Sequence, residues 1–123
     1  MEDWELDYEW LSVRHKIKSK FNRDSLPDLN GVLFLIGIQE LGRWGTSFTK
    51  EEKQDLMHIA ACRLLSYDGF YEFEGRDADG WPHYKLLRPL SVTGVKDQAR
   101  LLKTKIIQYF RDLDAETTLT EEE

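Results

Sequence analysis

The sequence predicts one mainly α domain (α+β), with four helices and a β-hairpin between the third and fourth. Three observations predict it. Leu29 to Leu41 reads LNGVLFLIGIQEL, and Val32 to Ile38 holds only apolar residues and Gly. A helix apolar all round is a buried helix. Three further stretches repeat apolar residues at three- and four-residue steps, the period of an amphipathic helix. Two short aromatic-rich runs flank a loop that ends in Asp79-Gly80, a strong tight-turn signal.

The first helix is expected from Asp3 to Asn22. Leu6, Trp10, Val13, Ile17 and Phe21 form one stripe along it. Trp4, Tyr8 and Leu11 fall on the opposite side, so its N-terminal half has two apolar faces. Either that half is sandwiched within the domain or one face meets another chain.

The second element, Val32 to Ile36, is equally apolar as a buried strand, and only length and end signals separate the two. Ser25-x-x-Asp28 fits a capping box, Pro27 fits a first helical turn, and Gly42 suits a left-handed C-terminal position. These predict a helix over 26–41, with Gly31 and Gly37 each costing about 1 kcal/mol relative to Ala. It is the expected centre of the domain. It is too short for a membrane span, which needs about 20 apolar residues.

Gly42 to Phe48 is a loop with Trp44 between two glycines, expected to plug the edge of the core. The third helix is expected over 50–66. Thr49-x-x-Glu52 is a capping box, and Leu56, Met57, Ala60, Ala61 and Leu64 make the apolar face. The hairpin is expected at 70–87, with strands Phe70 to Glu74 and Trp81 to Leu87. Its pairing puts Tyr71 and Phe73 on a face with Tyr84 and Leu86, and sets Glu72 and Glu74 against His83 and Lys85. Pro82 cannot donate to a ladder, which makes this an edge pairing. A linker, Arg88 to Ser91, leads to the fourth helix, Val95 to Leu113. Its seam is Val95, Ala99, Leu102, Ile106, Tyr109 and Leu113, widened by Leu101, Ile107 and Phe110. The domain therefore spans 1–113, and the acidic, polar 114–123 is expected to be a disordered tail.

Composition narrows the function. A length of 123 residues suits one domain with a real core. The net charge of −6 argues against a dedicated nucleic-acid binder, whose affinity comes from neutralising phosphates. The acidic opening Met-Glu-Asp-Trp-Glu has the wrong charge for a signal peptide, and the single Cys62 excludes an internal disulfide. A cytoplasmic location and no membrane contact are expected. Charge is segregated all the same. Residues 1–10 carry five acids and no Lys or Arg, and residues 11–23 carry five Lys or Arg and no acid. That order suits the dipole of the first helix. It also makes Arg14, Lys16, Lys18, Lys20 and Arg23 a candidate basic patch.

Motifs for chemistry are sparse. There is no phosphate loop, no G-x-S-x-G, no H-E-x-x-H and no C-x-x-C, so no cofactor is expected. His58 and Cys62 are neighbours at helical spacing, and His83 on the hairpin could supply a third zinc ligand. Two ligands at that spacing arise readily by chance, so packing roles come first. Asp77-x-Asp79-Gly80 resembles the start of a calcium loop but lacks the later ligands. Glu72, Glu74, Asp77 and Asp79 could pair as acid and base, but on an open ribbon they would be hydrated. Helices followed by a hairpin suggest a winged-helix-like regulatory or nucleic-acid module by order alone. The outer face of the third helix, with Glu51, Glu52, Asp55, His58 and Cys62, would repel DNA.

The expected function is a small, non-catalytic protein-interaction or structural domain. The winged-helix-like module is the alternative, and a metal protein or enzyme using His58 and Cys62 is the second alternative. The expected partner is another protein or a second copy, as a homodimer through the first helix with Trp4, Tyr8 and Leu11 in the interface.

Overall fold

A computed structural model describes residues 2–90 and 94–122, and their side chains as far as Ala115. The order is α1 (Asp3–Lys20), α2 (Leu29–Leu41), α3 (Lys50–Leu65), β1 (Tyr71–Arg76), β2 (Pro82–Leu86) and α4 (Val95–Glu122). It is the expected four-helix arrangement with an antiparallel hairpin between α3 and α4. Among the described residues, no helix is long and apolar enough to cross a membrane.

The core has two parts. In the larger, Leu6, Trp10, Val13 and Ile17 of α1 meet Val32, Leu33, Leu35 and Ile36 of α2. Ala60 and Leu64 of α3 and Ile106, Ile107, Tyr109 and Phe110 of α4 complete it. The smaller lies under the hairpin, where Ile38 and Leu41 of α2 pack with Leu56 and Ile59 of α3 beneath Trp81 and Tyr84. From Val32 to Ile38 every residue of α2 is buried except Phe34, which is half-buried. The helix with the most neighbours is instead α3, which meets α2, α4 and both strands, whereas α1 packs mainly on α4.

Several ends differ from expectation. The N-cap of α2 is Asp28, whose side chain accepts from the Gly31 N–H at 2.8 Å, so the helix starts after Pro27 and Ser25 takes no part. Gly42 closes it in the left-handed region at φ 83°. At α3 the expected capping box forms. Thr49 Oγ1 accepts from the Glu52 N–H at 3.1 Å, and Glu52 Oε1 accepts from the Thr49 N–H at 2.9 Å.

Helix α4 continues to Glu122, past the expected stop at Leu113, and no Gly or Pro interrupts residues 95–122. Glu123 of the expected tail and Ser91 of the expected linker lie outside the described residues. The seam expected on α4 is covered only in its middle. Ile106 and Tyr109 are buried, Leu102 and Leu113 are half-buried, and Val95 stands in solvent.

The hairpin pairs Tyr71 with Leu86, Glu72 with Lys85 and Phe73 with Tyr84, as the alternation predicts. A bulge then shifts the register, so His83 faces Gly75 and not Glu74. Gly75 sits at φ 124°, a conformation that a side chain would strain. Arg76 fastens the ribbon to α2. It donates to the Glu40 carbonyl at 2.6 Å and to the Gly80 carbonyl at 2.9 Å. A cation at helix-terminal carbonyls complements the negative end of the helix dipole.

Candidate functional site

The three ligand-type residues singled out in the sequence surround one cleft. Helix α3 supplies Asp55, His58, Ile59 and Cys62, and the hairpin supplies Asp77, Trp81, Pro82, His83 and Tyr84, around about 400 Å³. The local reasons are simple. His58 and Cys62 are one helical turn apart, on the side of α3 that faces the ribbon. The bulge and the turn bring His83 and Asp77 to the ribbon's end, opposite them.

The groups form two separate pairs. Cys62 Sγ lies 3.5 Å from His58 Nε2, and the tyrosine ring of Tyr71 packs edge-on to the His58 imidazole. Desolvation pushes the Cys62 thiol up to about 11, against a smaller opposing effect of its hydrogen bond with Tyr71. A thiol held protonated is a poor nucleophile at neutral pH. In the second pair, His83 Nε2 is 2.9 Å from Asp77 Oδ2. Asp77 Oδ1 also accepts from the N–H groups of Asp79 at 2.9 Å and Trp81 at 3.0 Å. These bonds, that of His83 foremost, hold the Asp77 carboxyl below its ordinary range. The Asp77 carboxylate is thus spent on its own turn.

Among the described residues, no group of three or more His, Cys, Asp and Glu is placed to hold a metal ion. His58, Cys62 and His83 share a cleft without converging on a point. Burial foremost, and then Glu40, push the Tyr84 phenol up to about 12, so it too stays protonated. The cleft offers an aromatic wall and hydrogen-bonding groups, but no activated nucleophile.

The second feature is the outer face of α1. Trp4 and Tyr8 are 70% and 68% exposed and Leu11 is 44% exposed, while Leu6, Trp10, Val13 and Ile17 on the other side are buried. The sandwiched arrangement of α1 does not occur. The face continues through His15 to Lys18 at helical spacing.

Arg14 is engaged with the Pro27 carbonyl at 2.7 Å, Lys20 lies over the Phe21 ring, and helical spacing sets Lys16 and Lys18 on different sides of α1. Trp44 does not plug the core. It stacks on Phe21, which packs against the larger core, with ring centroids 5.1 Å apart, and is 46% exposed, whereas Trp81 is half-buried over the smaller core.

Sequence reasoning missed Asp77 as the partner of His83, and Arg76 and Glu40 as the tie between hairpin and α2. One signal for the first was present: a Gly inside a strand pattern, here Gly75, marks a bulge that resets facing residues. The second had no local signal. No protein-family model matches this chain, no curated protein matches it, and no solved structure matches it.

Proposed function

We propose that the protein is a small, non-catalytic cytoplasmic interaction domain that docks through the outer face of α1. One observation supports this reading above the others: two aromatic side chains, Trp4 and Tyr8, stand in solvent on successive turns of a helix whose opposite face is in the core. Aromatic residues are where interface energy concentrates, and an exposed apolar face of this kind marks a contact site. Exposure of Trp4 and Tyr8 serves no packing purpose within the chain, which favours a partner for this face.

The cleft between α3 and the hairpin favours a binding role over catalysis, because its thiol and phenol are held protonated and its carboxylate Asp77 is committed to the turn.

The test is a photo-crosslinking amino acid in place of Trp4, with the same group at exposed Lys53 as control. In the protein's own cells, light is expected to yield a protein adduct from position 4 and none from position 53. No adduct from position 4 removes the reading.

A further inference from the structure

The outer face of α1 has a charge pattern that selects its occupant. The acids Glu2, Asp3, Glu5, Asp7 and Glu9 precede Leu11, and the bases Arg14, Lys16, Lys18 and Lys20 follow it. Leu11 sits at the change of sign and is itself exposed on the outer face. Asp3 and Glu9 reach sideways to Arg100 and Arg111 of α4, which leaves Glu5 and Asp7 flanking the outer face.

We infer that the occupant is a second copy of this chain, bound antiparallel along α1 with the two-fold axis through Leu11. This rests on the reading of that face as a contact surface.

A two-fold dimer can join two helices in parallel or antiparallel. Parallel α1 helices would set acid beside acid and base beside base, and like charges across an interface are costly. The antiparallel pair opposes each acidic half to a basic half and also opposes the helix dipoles. With the axis at Leu11, each residue meets the one as far beyond Leu11 as it lies before it. Leu11 then meets Leu11, Trp4 meets Lys18, and Tyr8 meets the segment Arg14–His15. A Lys ammonium over an indole is a favourable contact. Glu5 lies on the same flank as Lys16 of the second copy, and Asp7 on the flank of Arg14 and Lys18. An axis at Tyr8 would set Asp7 level with Glu9 of the second copy, acid against acid beside the axis, so charge places the axis one turn later.

Eighteen residues make α1 about 27 Å long. One such face is smaller than the roughly 800 Å² per partner of a standard interface. The dimer is therefore weak, and because its charges are at the surface it weakens further with salt.

Sedimentation equilibrium of the full chain across the micromolar range tests this. At low salt the mass is expected to rise from 14.5 kDa toward twice that value. Trp4→Ala with Tyr8→Ala abolishes the rise. Lys16→Glu with Lys18→Glu raises the dissociation constant at least about tenfold. Adding Glu5→Lys and Asp7→Lys to that variant restores dimerisation. Circular dichroism checks that each variant keeps the helical spectrum of the wild type. A wild type that stays monomeric throughout overturns the inference. So does a dimer indifferent to charge reversal or not restored by the swap. An adduct from position 4 that joins a different protein, beside a monomeric wild type, overturns the second copy and leaves the docking role of the face standing.

Discussion

Helix α3 is packed in two different ways on its two sides. Toward α2 it closes completely. A methyl group placed on Gly37 would stand 2.2 Å from the Leu56 carbonyl oxygen and 2.7 Å from its carbon, so the two backbones touch there with no side chain between. Toward the hairpin it stays open. Tyr71, Trp81 and Tyr84 hold the ribbon away, and about 400 Å³ of space remains beside His58 and Cys62. The smallest residue at a crossing sets how near two elements come, and large rings set how far apart they stay. The closed side makes the core, with the Arg63–Glu40 ion pair at 3.4 Å at its edge. The open side keeps His58, Asp77 and His83 at the surface, while Cys62 is buried at its floor.

The strongest way to break this comparison is at Gly37. Gly37→Ala is expected to destabilise the fold by about 3 kcal/mol or more, at or beyond the top of the usual range for overpacking. Chemical denaturation measures it. Leu56→Ala alone should cost about 2–5 kcal/mol as a cavity. Combining the two should not rescue stability, because the nearest atom to the new methyl is the backbone oxygen of Leu56, which truncation leaves in place. Rescue by the double variant would mean that the seam yields at side chains and is not a backbone contact.

Gly37 also shows what the sequence could and could not reveal. The helix ends were legible because their chemistry is local: Thr49 with Glu52, and Gly42 as a left-handed stop. The covered stripe of α1 was legible because its period is local. Gly37 read only as a cost to the helix, since its reason is a contact with a residue on another helix. His58, Cys62 and His83 could be chosen by residue type, but the cleft that groups them depends on the register beyond Gly75. Whether the second apolar side of α1 was core or contact depended on where α4 lay. Period carries which residues share a face, and tertiary packing decides which faces find a cover.

Arg76 is the clamp on the open side, and removing it has the next largest effect. Arg76→Ala removes the bonds to the Glu40 and Gly80 carbonyls. Because these sit at the surface, a loss of about 1 kcal/mol is expected, near the typical net worth of a hydrogen bond. Amide hydrogen exchange should quicken in β1 and β2 and stay unchanged at Ile36 and Leu64. Equal quickening in the core would show that the hairpin and the α2–α3 seam open together.

Thiol chemistry reads the burial of the open side directly. With the Cys62 thiol pushed up to about 11 from 9.0, the folded chain holds roughly a hundredfold less thiolate at neutral pH than an unfolded one. Alkylation by iodoacetamide should therefore be slow in the native protein, rise with pH toward about 11, and become fast in denaturant. The sign for stability follows. The group is protonated in both states below its unfolded value, so its contribution is complete there. It is lost as pH rises through the folded value. Fast native alkylation at neutral pH would mean that the α3–hairpin contact opens readily and Cys62 is exposed to solvent.

The smallest effect lies at the tip of the hairpin and depends on acid. Asp77 accepts from His83 and from the Trp81 and Asp79 N–H groups, and those bonds hold its carboxyl below the ordinary value. A depressed carboxylate stabilises the folded state above its unfolded pKa, about 3.9 for Asp, and that contribution is lost as pH falls through the lower folded value. The contribution of the Asp77 carboxylate to the turn should therefore be complete above about pH 4 and be lost below it. Backbone amide resonances of Asp79 and Trp81 should move with that midpoint. In Asp77→Asn the side-chain oxygen can still accept from the two N–H groups but carries no charge, so the shift with pH should flatten. Resonances of Ile36 and Leu64, buried in the larger core, should stay still over the same range. If they move with the midpoint of Asp77, the two sides of α3 are coupled, and the division between a dry seam and an open cleft fails as a description of this fold.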